Sequence, residues 1–150
     1  MTTIACNREC MAGDTRITGG GAICHTQKIY RIGKSLFGFA GDATLAMLIF
    51  KWLETKRDPE VLHKLIPADH RNDVDILELS TEGISFWNGW GVPMPLRDDY
   101  YAIGSGSMAA MSSMLRGEPP ELAVRGVPPL DECTGGEVQV ELLKVPKRRG

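Results

Sequence analysis

Residues 2–15 read TTIACNRECMAGDT, and this stretch indicates how the fold begins. Residues 2–6 are β-branched and apolar, which is typical of a short strand. Residues 7–9 form a turn sequence, and residues 10–15 return as a second strand. The stretch therefore predicts a hairpin that ties the start of the chain into a sheet.

Outward from this hairpin, strand-like segments occur in groups that are separated by helix-like segments. Six further strands are predicted at residues 28–32, 35–40, 74–79, 84–90, 100–103 and 138–145. Helices are predicted at residues 42–54, 60–65, 108–115 and 121–125. Residues 19–21 are expected to form a bend or loop, and residues 91–99 a proline-rich connection. Because the strands cluster, the pattern favours an α+β protein with antiparallel sheets and helices layered outside them.

Composition and charge exclude several classes of protein. The 150 residues fit one domain, residues 1–150, with 43% hydrophobic and 24% charged residues. A net charge of −2 gives no general case for nucleic-acid binding. The longest apolar run, residues 45–50, is far too short for a membrane span, and no signal peptide is expected in residues 1–20. We therefore expect a cytoplasmic protein that binds neither nucleic acid nor membrane. The basic residues 147–149 are predicted to be a solvated tail.

The usual metal and nucleophile patterns are absent from the sequence. Cys6, Cys10, Cys24 and His25 match no standard zinc spacing, so the cysteines are interpreted as thiols in a reducing cytoplasm. There is no Gly-x-Ser-x-Gly motif, and the glycine-rich residues 104–106 lack the Lys-Ser/Thr of a phosphate loop. We predict no cofactor and no bound metal.

Thr2 offers a different chemistry. If Met1 is removed, Thr2 carries a hydroxyl and a free α-amine, whose ordinary pKa is about 7.7–8.0. That amine can accept the hydroxyl proton, which makes Thr2 a nucleophile with its own general base. A nearby ammonium held by a carboxylate would lower the pKa of the amine. Asp14 and Lys28 are candidates for this pair, although each has an ordinary explanation when taken alone, Asp14 as a turn cap and Lys28 as a residue on a solvated strand edge.

Five motifs together resemble one family. In chain order they are Thr2-Thr3-Ile4, Ala12-Gly13-Asp14 with Gln27-Lys28-Ile29, Gly38-Phe39-Ala40-Gly41-Asp42, Ala102-Ile103-Gly104-Ser105-Gly106-Ser107, and Asp131-Glu132-Cys133-Thr134-Gly135-Gly136. In this order they resemble the proteasome β-type subunits and, more closely, the bacterial peptidase HslV. The resemblance implies an N-terminal nucleophile hydrolase fold: a four-layer αββα sandwich of two antiparallel sheets flanked by helices.

The resemblance also assigns roles. It implies that Thr2 is the nucleophile and that Asp14 pairs with Lys28, which lowers the pKa of the amine. The Gly41 backbone N–H would donate to the oxyanion, and such a donor contributes about 2.7–4 kcal/mol. It further implies an outer network around the amine, made of Ser105, Asp131 and Thr134. A helix cap, a solvated carboxylate and a turn residue are the respective alternatives for these three.

The implied function is that of a threonine-type endopeptidase that degrades unfolded polypeptides. The family forms closed homo-oligomeric rings, and an AAA+ ATPase unfoldase is a possible partner. Two alternatives stay open: a free-standing amidase acting on a small amide, and a non-catalytic ring or scaffold subunit. The chain is shorter than HslV, and Pro128-Pro129 stand where the family continues its last helix toward Asp131.

Overall fold

The computed structural model describes residues 2–19 and 21–144, in eleven strands and four helices. The strands are β1 Thr3–Asn7, β2 Cys10–Asp14, β3 Arg16–Gly19, β4 Ala22–His25, β5 Ile29–Ile32, β6 Ser35–Gly41, β7 Val74–Ser80, β8 Gly83–Asn88, β9 Met94–Leu96, β10 Tyr100–Gly104 and β11 Val138–Leu142. The helices are α1 Ala43–Leu53, α2 Pro59–Leu65, α3 Ser107–Leu115 and α4 Pro120–Arg125, with a 3₁₀ turn at Ala68–His70. Met1, Gly20, the predicted strand end at Val145 and the predicted basic tail lie outside the described residues.

Two antiparallel sheets form the centre of the molecule. One has four strands in the order β10-β1-β2-β11, and the other has five in the order β5-β6-β7-β8-β9. Their facing sides bury a common core that includes Ile4, Met11, Leu36 and Leu77. Side chains alternate between the two faces of a strand, so the remaining apolar positions point outward and need a second cover.

Helices provide that cover on both sides. Helices α1 and α2 pack on the five-stranded sheet, where Ile49 and Trp52 contact the cluster that contains Phe37 and Ile76. Helices α3 and α4 pack on the four-stranded sheet, where small residues such as Ala5 and Ala12 allow close approach. The predicted four-layer αββα architecture is therefore confirmed.

The boundary between β6 and α1 follows its sequence signals. Strand β6 is buried on both faces, as its unbroken apolar run predicted. Asp42 ends it and caps α1, because its carboxylate accepts the Leu45 backbone N–H at 2.9 Å. The buried side chains Ile49, Trp52 and Leu53 then share one face of the helix.

Two predicted irregular segments contain strands. Gly19, in the predicted bend, ends β3 and pairs with Ala22 of β4 in a hairpin, and all four residues of β4 are exposed. Residues 94–96, inside the predicted connection, pair with β8 as an edge strand. Neither strand buries an alternating apolar face, so the period-two pattern that reveals other strands is missing from them. Among the described helices, none combines the length and the apolarity needed to cross a bilayer.

Candidate active site

The start of β1 brings three of the predicted residues into direct contact. The Lys28 ammonium donates to the hydroxyl of Thr2, and this hydroxyl is also hydrogen-bonded to Asp14 Oδ1. Lys28 Nζ lies 3.1 Å from the same carboxylate oxygen. All three residues are at most 3% exposed. A nucleophile candidate, a cation and its counter-charge therefore form one buried cluster.

Sheet register explains how these side chains meet. β1 and β2 pair with Ile4 opposite Gly13, which sets Asp14 beside the start of β1. Lys28 instead precedes β5, a strand of the facing sheet. The cluster thus lies between the two sheets, at one end of the sandwich.

Backbone donors hold the Asp14 carboxylate in place. Oδ1 accepts the Thr3 backbone N–H at 3.0 Å, and Oδ2 accepts the Gly135 N–H at 3.0 Å. These bonds satisfy a carboxylate that would otherwise be costly to bury. Asp14 is therefore an anchored counter-charge, and the alternative explanation as a turn cap does not describe its contacts.

Burial lowers the pKa of the Lys28 ammonium from its ordinary value. The Asp14 carboxylate opposes this shift, and the positive charge of Arg16 adds to it. The Arg16 backbone carbonyl also accepts a hydrogen bond from the ammonium. A lysine in this setting loses its proton more readily than one on a solvated edge, although its carboxylate partner still favours the charged form.

Gly41 and Thr2 line the same small cleft. The cleft has a volume of about 290 Å³ and is also lined by Thr18 and Lys28. Gly41 has φ +97°, and a side chain there would collide with the carbonyl oxygen of Asp73. That carbonyl accepts the next backbone N–H, from Asp42, at 2.9 Å. The turn therefore requires glycine and presents its backbone at the edge of the cleft.

The three remaining predicted residues form one chain of hydrogen bonds. Asp131 Oδ2 accepts the Ser105 hydroxyl at 2.5 Å and the Thr134 hydroxyl at 2.7 Å. The Thr134 hydroxyl lies 2.7 Å from the Thr3 hydroxyl. The network thus reaches the residue next to the candidate nucleophile, and the proline pair before Asp131 does not prevent this.

The charge on Asp131 is stabilised by these bonds. Partial burial raises the pKa of the Asp131 carboxyl. The hydrogen bonds from Ser105, Thr134 and the Cys133 backbone together lower it by more than burial raises it, so the pKa lies below its ordinary value. Asp131 is therefore a negative charge near the start of β1.

Several residues that contribute to the site were not predicted from the sequence. Thr3 and Gly135 supply contacts to the cluster, and both stand beside predicted residues in the quoted motifs. Gln139 of β11 accepts the backbone N–H groups of Lys28 and Ile29, each at 3.2 Å, and so joins the two sheets beside the site. No local signal marks Gln139, because its partner is more than a hundred residues away in the chain.

Potential metal-binding side chains do not cluster with one another in the described part of the chain. Within residues 2–19 and 21–144, no group of three or more His, Cys, Asp or Glu side chains is placed to hold a metal ion.

The layer order and the buried Thr-Asp-Lys cluster define the fold class. The chain has the N-terminal nucleophile hydrolase fold of the proteasome β/HslV type. No family model and no curated protein sequence matches it. Solved structures do match, and they show a common fold at low sequence identity.

The first of these structures is the BPH protein of Thiobacillus denitrificans, with a TM-score of 0.76 and 19% identity, over 93% of this chain and 96% of BPH. BPH in complex with epoxomicin matches with a TM-score of 0.73 and 20% identity, over 95% of this chain and 100% of BPH. Eukaryotic HslV from Trypanosoma brucei gives 0.68 and 21%, over 93% of this chain and 98% of HslV. The resemblance seen in the sequence motifs is thus confirmed at the level of the fold.

Proposed function

We propose that the protein is a threonine-type endopeptidase whose nucleophile is Thr2. The observation that carries the proposal is the contact of the buried Lys28 ammonium with the Thr2 hydroxyl, beside Asp14. A buried cation on a hydroxyl stabilises the alkoxide that forms during attack. The matching structures, one of them an epoxomicin complex, support the same interpretation.

The reaction would start once Met1 has been removed. The free amine of Thr2 takes the proton from the Thr2 hydroxyl, directly or through a water, and the oxygen attacks the substrate carbonyl carbon. The positive charge of Lys28 keeps the amine neutral enough to act as this base. The Gly41 N–H donates to the developing oxyanion.

Collapse of the tetrahedral intermediate breaks the C–N bond. The protonated amine of Thr2 returns its proton to the departing nitrogen, which leaves as the amine product. The acyl half remains as an ester on Thr2, and a water activated by the same amine hydrolyses it. The network of Ser105, Asp131 and Thr134 would orient the N-terminal end of β1 and stabilise its charge.

The proposal extends to the biological setting. The substrate would be an unfolded polypeptide, and residues 1–150 would act as one domain within a homo-oligomeric ring fed by an AAA+ ATPase. A ring would hide an otherwise unselective nucleophile from folded proteins. A cytoplasmic location remains a prediction.

The test combines the intact mass of the purified protein with its rate of peptide cleavage. Intact-mass measurement of the purified protein should show the loss of one methionine, and a fluorogenic peptide should be cleaved. Thr2→Ala should abolish cleavage, whereas Thr2→Ser should retain part of it because it keeps the hydroxyl. Epoxomicin should inhibit the unmodified enzyme. Turnover that is unchanged in Thr2→Ala would exclude Thr2 from the mechanism.

The size of the particle in solution, together with its activity, distinguishes the peptidase from the free-standing amidase and the non-catalytic subunit. Activity in a particle that elutes as a monomer or dimer would favour the free-standing amidase. An oligomer that retains Met1 and cleaves no peptide would favour the non-catalytic subunit. A large oligomer that lacks Met1 and cleaves peptides is the expected result.

A further inference from the structure

A second cavity, of about 660 Å³, lies beside the active-site cleft. Gly41 lines both spaces, and Ser105 lines the second one. Gly104 also lines the second cavity, and it packs so closely on the backbone of Thr2 that a side chain there would collide with the Thr2 carbonyl. The second cavity is therefore adjacent to the proposed reacting centre and shares Gly41 with the cleft.

Asp75 is the unexpected residue in this cavity. It lies in β7 two residues before Leu77 and four before Leu79, both of which belong to the core between the sheets. Alternation along the strand places Asp75 on that same inner face, where an apolar side chain is expected. The sequence instead supplies a half-buried carboxylate.

This carboxylate has no compensating partner. Among the described residues, no hydrogen bond or ion pair reaches the Asp75 side chain. Burial raises the pKa of Asp75, which reflects the loss of water without a gain of positive charge. An incoming cation would restore the lost stabilisation.

Among the groups that line the cavity, Asp75 is the carboxylate that is available to pair with a cationic ligand. Asp73 also lines the cavity, but its carboxylate is 2.8 Å from the His70 ring and so has a partner. Asn72 and Ser107 add neutral polar groups, and Phe86 adds an apolar wall. No lysine, arginine or histidine of the described chain lines the cavity. An apolar wall with one carboxylate suits a long side chain that ends in a cation.

The position of Thr2 indicates which half of a substrate enters. In the proposed reaction the acyl half becomes bonded to Thr2, which lines the first cleft and not the second cavity. The half that leaves as an amine departs from the carbonyl held at Gly41. The neighbouring space that shares Gly41 with the cleft is the second cavity.

We propose that the second cavity is the subsite for the leaving half of the substrate, and that Asp75 makes it select lysine or arginine just after the cleaved bond. This assignment rests on the proposed peptidase function.

The test uses internally quenched peptides that differ only in the residue after the cleaved bond, which is lysine, norleucine or glutamate. We expect kcat/KM for the lysine peptide to exceed that for the norleucine peptide by about fivefold, the size of a partly solvated ion pair. In Asp75→Asn this ratio should fall to about one. Asp98→Asn, the same change at an exposed position away from both cavities, should keep the fivefold ratio. Mass spectrometry of the products fixes the cleaved bond.

A binding measurement separates this proposal from the peptidase function itself. Short peptide amides that begin with lysine or norleucine are titrated into Thr2→Ala, with NMR shifts followed at the amides of residues 72–75 and 105–107. Selective lysine binding that disappears in the Thr2→Ala/Asp75→Asn variant supports the subsite. If no peptide is cleaved by the unmodified protein, that absence of cleavage overturns the peptidase function but leaves this evidence for the subsite intact. Equal binding of both peptides, or a lysine preference that persists without the Asp75 charge, overturns the subsite.

Discussion

Lys28 is a buried cation whose charge is matched by one carboxylate, that of Asp14, at 3.1 Å. Removing one member of such a pair leaves the other charge buried and unpaired, which destabilises a protein by about 3–5 kcal/mol. Removing both members can be almost neutral. The stability effect and the chemical effect of Lys28 can therefore be separated by a double substitution.

Lys28→Met should lower kcat/KM for peptide cleavage at least about 100-fold, because the Thr2 amine loses the neighbouring charge that tunes it as a general base. It should also lower the unfolding free energy. Lys28→Met/Asp14→Asn should recover much of that stability and none of the activity. Lys34→Met, at an exposed position, is the matched control and should change neither quantity. Activity that returns with stability would show that Lys28 has only a structural role.

The Asp131 network predicts a pH dependence of stability. The pKa of Asp131 in the folded state lies below its ordinary value of 3.8, so the unfolded state binds more protons between the two values. The stabilisation by this carboxylate is therefore present above pH 3.8 and is lost as the pH falls through the folded-state pKa. Because Asp131 is partly exposed, the contribution should not exceed about 1 kcal/mol.

Urea unfolding of wild type and Asp131→Asn at pH 6 and at pH 2.5 measures this contribution. The difference between the two proteins should be about 1 kcal/mol at pH 6 and should shrink at pH 2.5. Asp98→Asn serves as the control carboxyl, since Asp98 is exposed and makes no contact with this network. An equal difference in unfolding free energy at both pH values would show that altered hydrogen bonding, and not the loss of the carboxylate charge, explains the destabilisation.

At the scale of elements, the turn from β6 into α1 determines where the proposed oxyanion donor lies. Gly41 combines a positive φ with close packing on Asp73, whereas Gly33 has φ +61° with open space around it. The pair therefore distinguishes backbone strain from a steric collision.

Gly41→Ala should lower the unfolding free energy more than Gly33→Ala, by at least about 1 kcal/mol, because only the first adds a collision with backbone atoms. It should also reduce kcat much more than KM, since the displaced N–H acts in the transition state. Thermal unfolding and steady-state kinetics on both variants provide the test. Equal stability losses would mean that residues 72–74 move aside freely.

At the scale of the whole molecule, the two sheets approach each other closely at Gly38. A Cβ on Gly38 would lie 2.7 Å from Ile4 Cγ2 and 2.9 Å from Met11 Sδ, both on the facing sheet. The close approach keeps Lys28, which enters β5 beside Gly38, within reach of Thr2.

Gly38→Ala should therefore destabilise the protein by about 1–3 kcal/mol through overpacking. Ile4→Ala removes the clashing Cγ2 and should itself destabilise the protein by about 2–5 kcal/mol. The double variant should be more stable than the sum of the two single effects predicts, because the space left by the isoleucine side chain accommodates the new methyl group. Additive effects in urea unfolding would indicate that the strain is relieved elsewhere.

Most elements were predictable because their signals are local. Hydrophobic periodicity marked β6, β7 and α1, and the Asp42 cap placed the helix start. The β3–β4 hairpin and β9 were missed because they bury little. Thr2, Asp14, Lys28 and Gly41 were named from chemistry and motif resemblance, whereas Gln139 was not, since its role depends on a contact between distant strands.

The amino-acid sequence alone determined the order of strands and helices, the hairpin that carries Thr2 and Asp14, and the glycine at the end of β6. These features depend on side-chain periodicity, turn residues and capping, which act over a few residues. The tertiary structure alone decided that Lys28, just before β5, contacts Thr2 and Asp14 of the facing sheet, that Gly41 lines the same cleft as Thr2, and that Asp75 lines the neighbouring cavity. Such juxtapositions arise from the packing of two sheets across a shared core, a contact between segments far apart in the chain that no local pattern encodes.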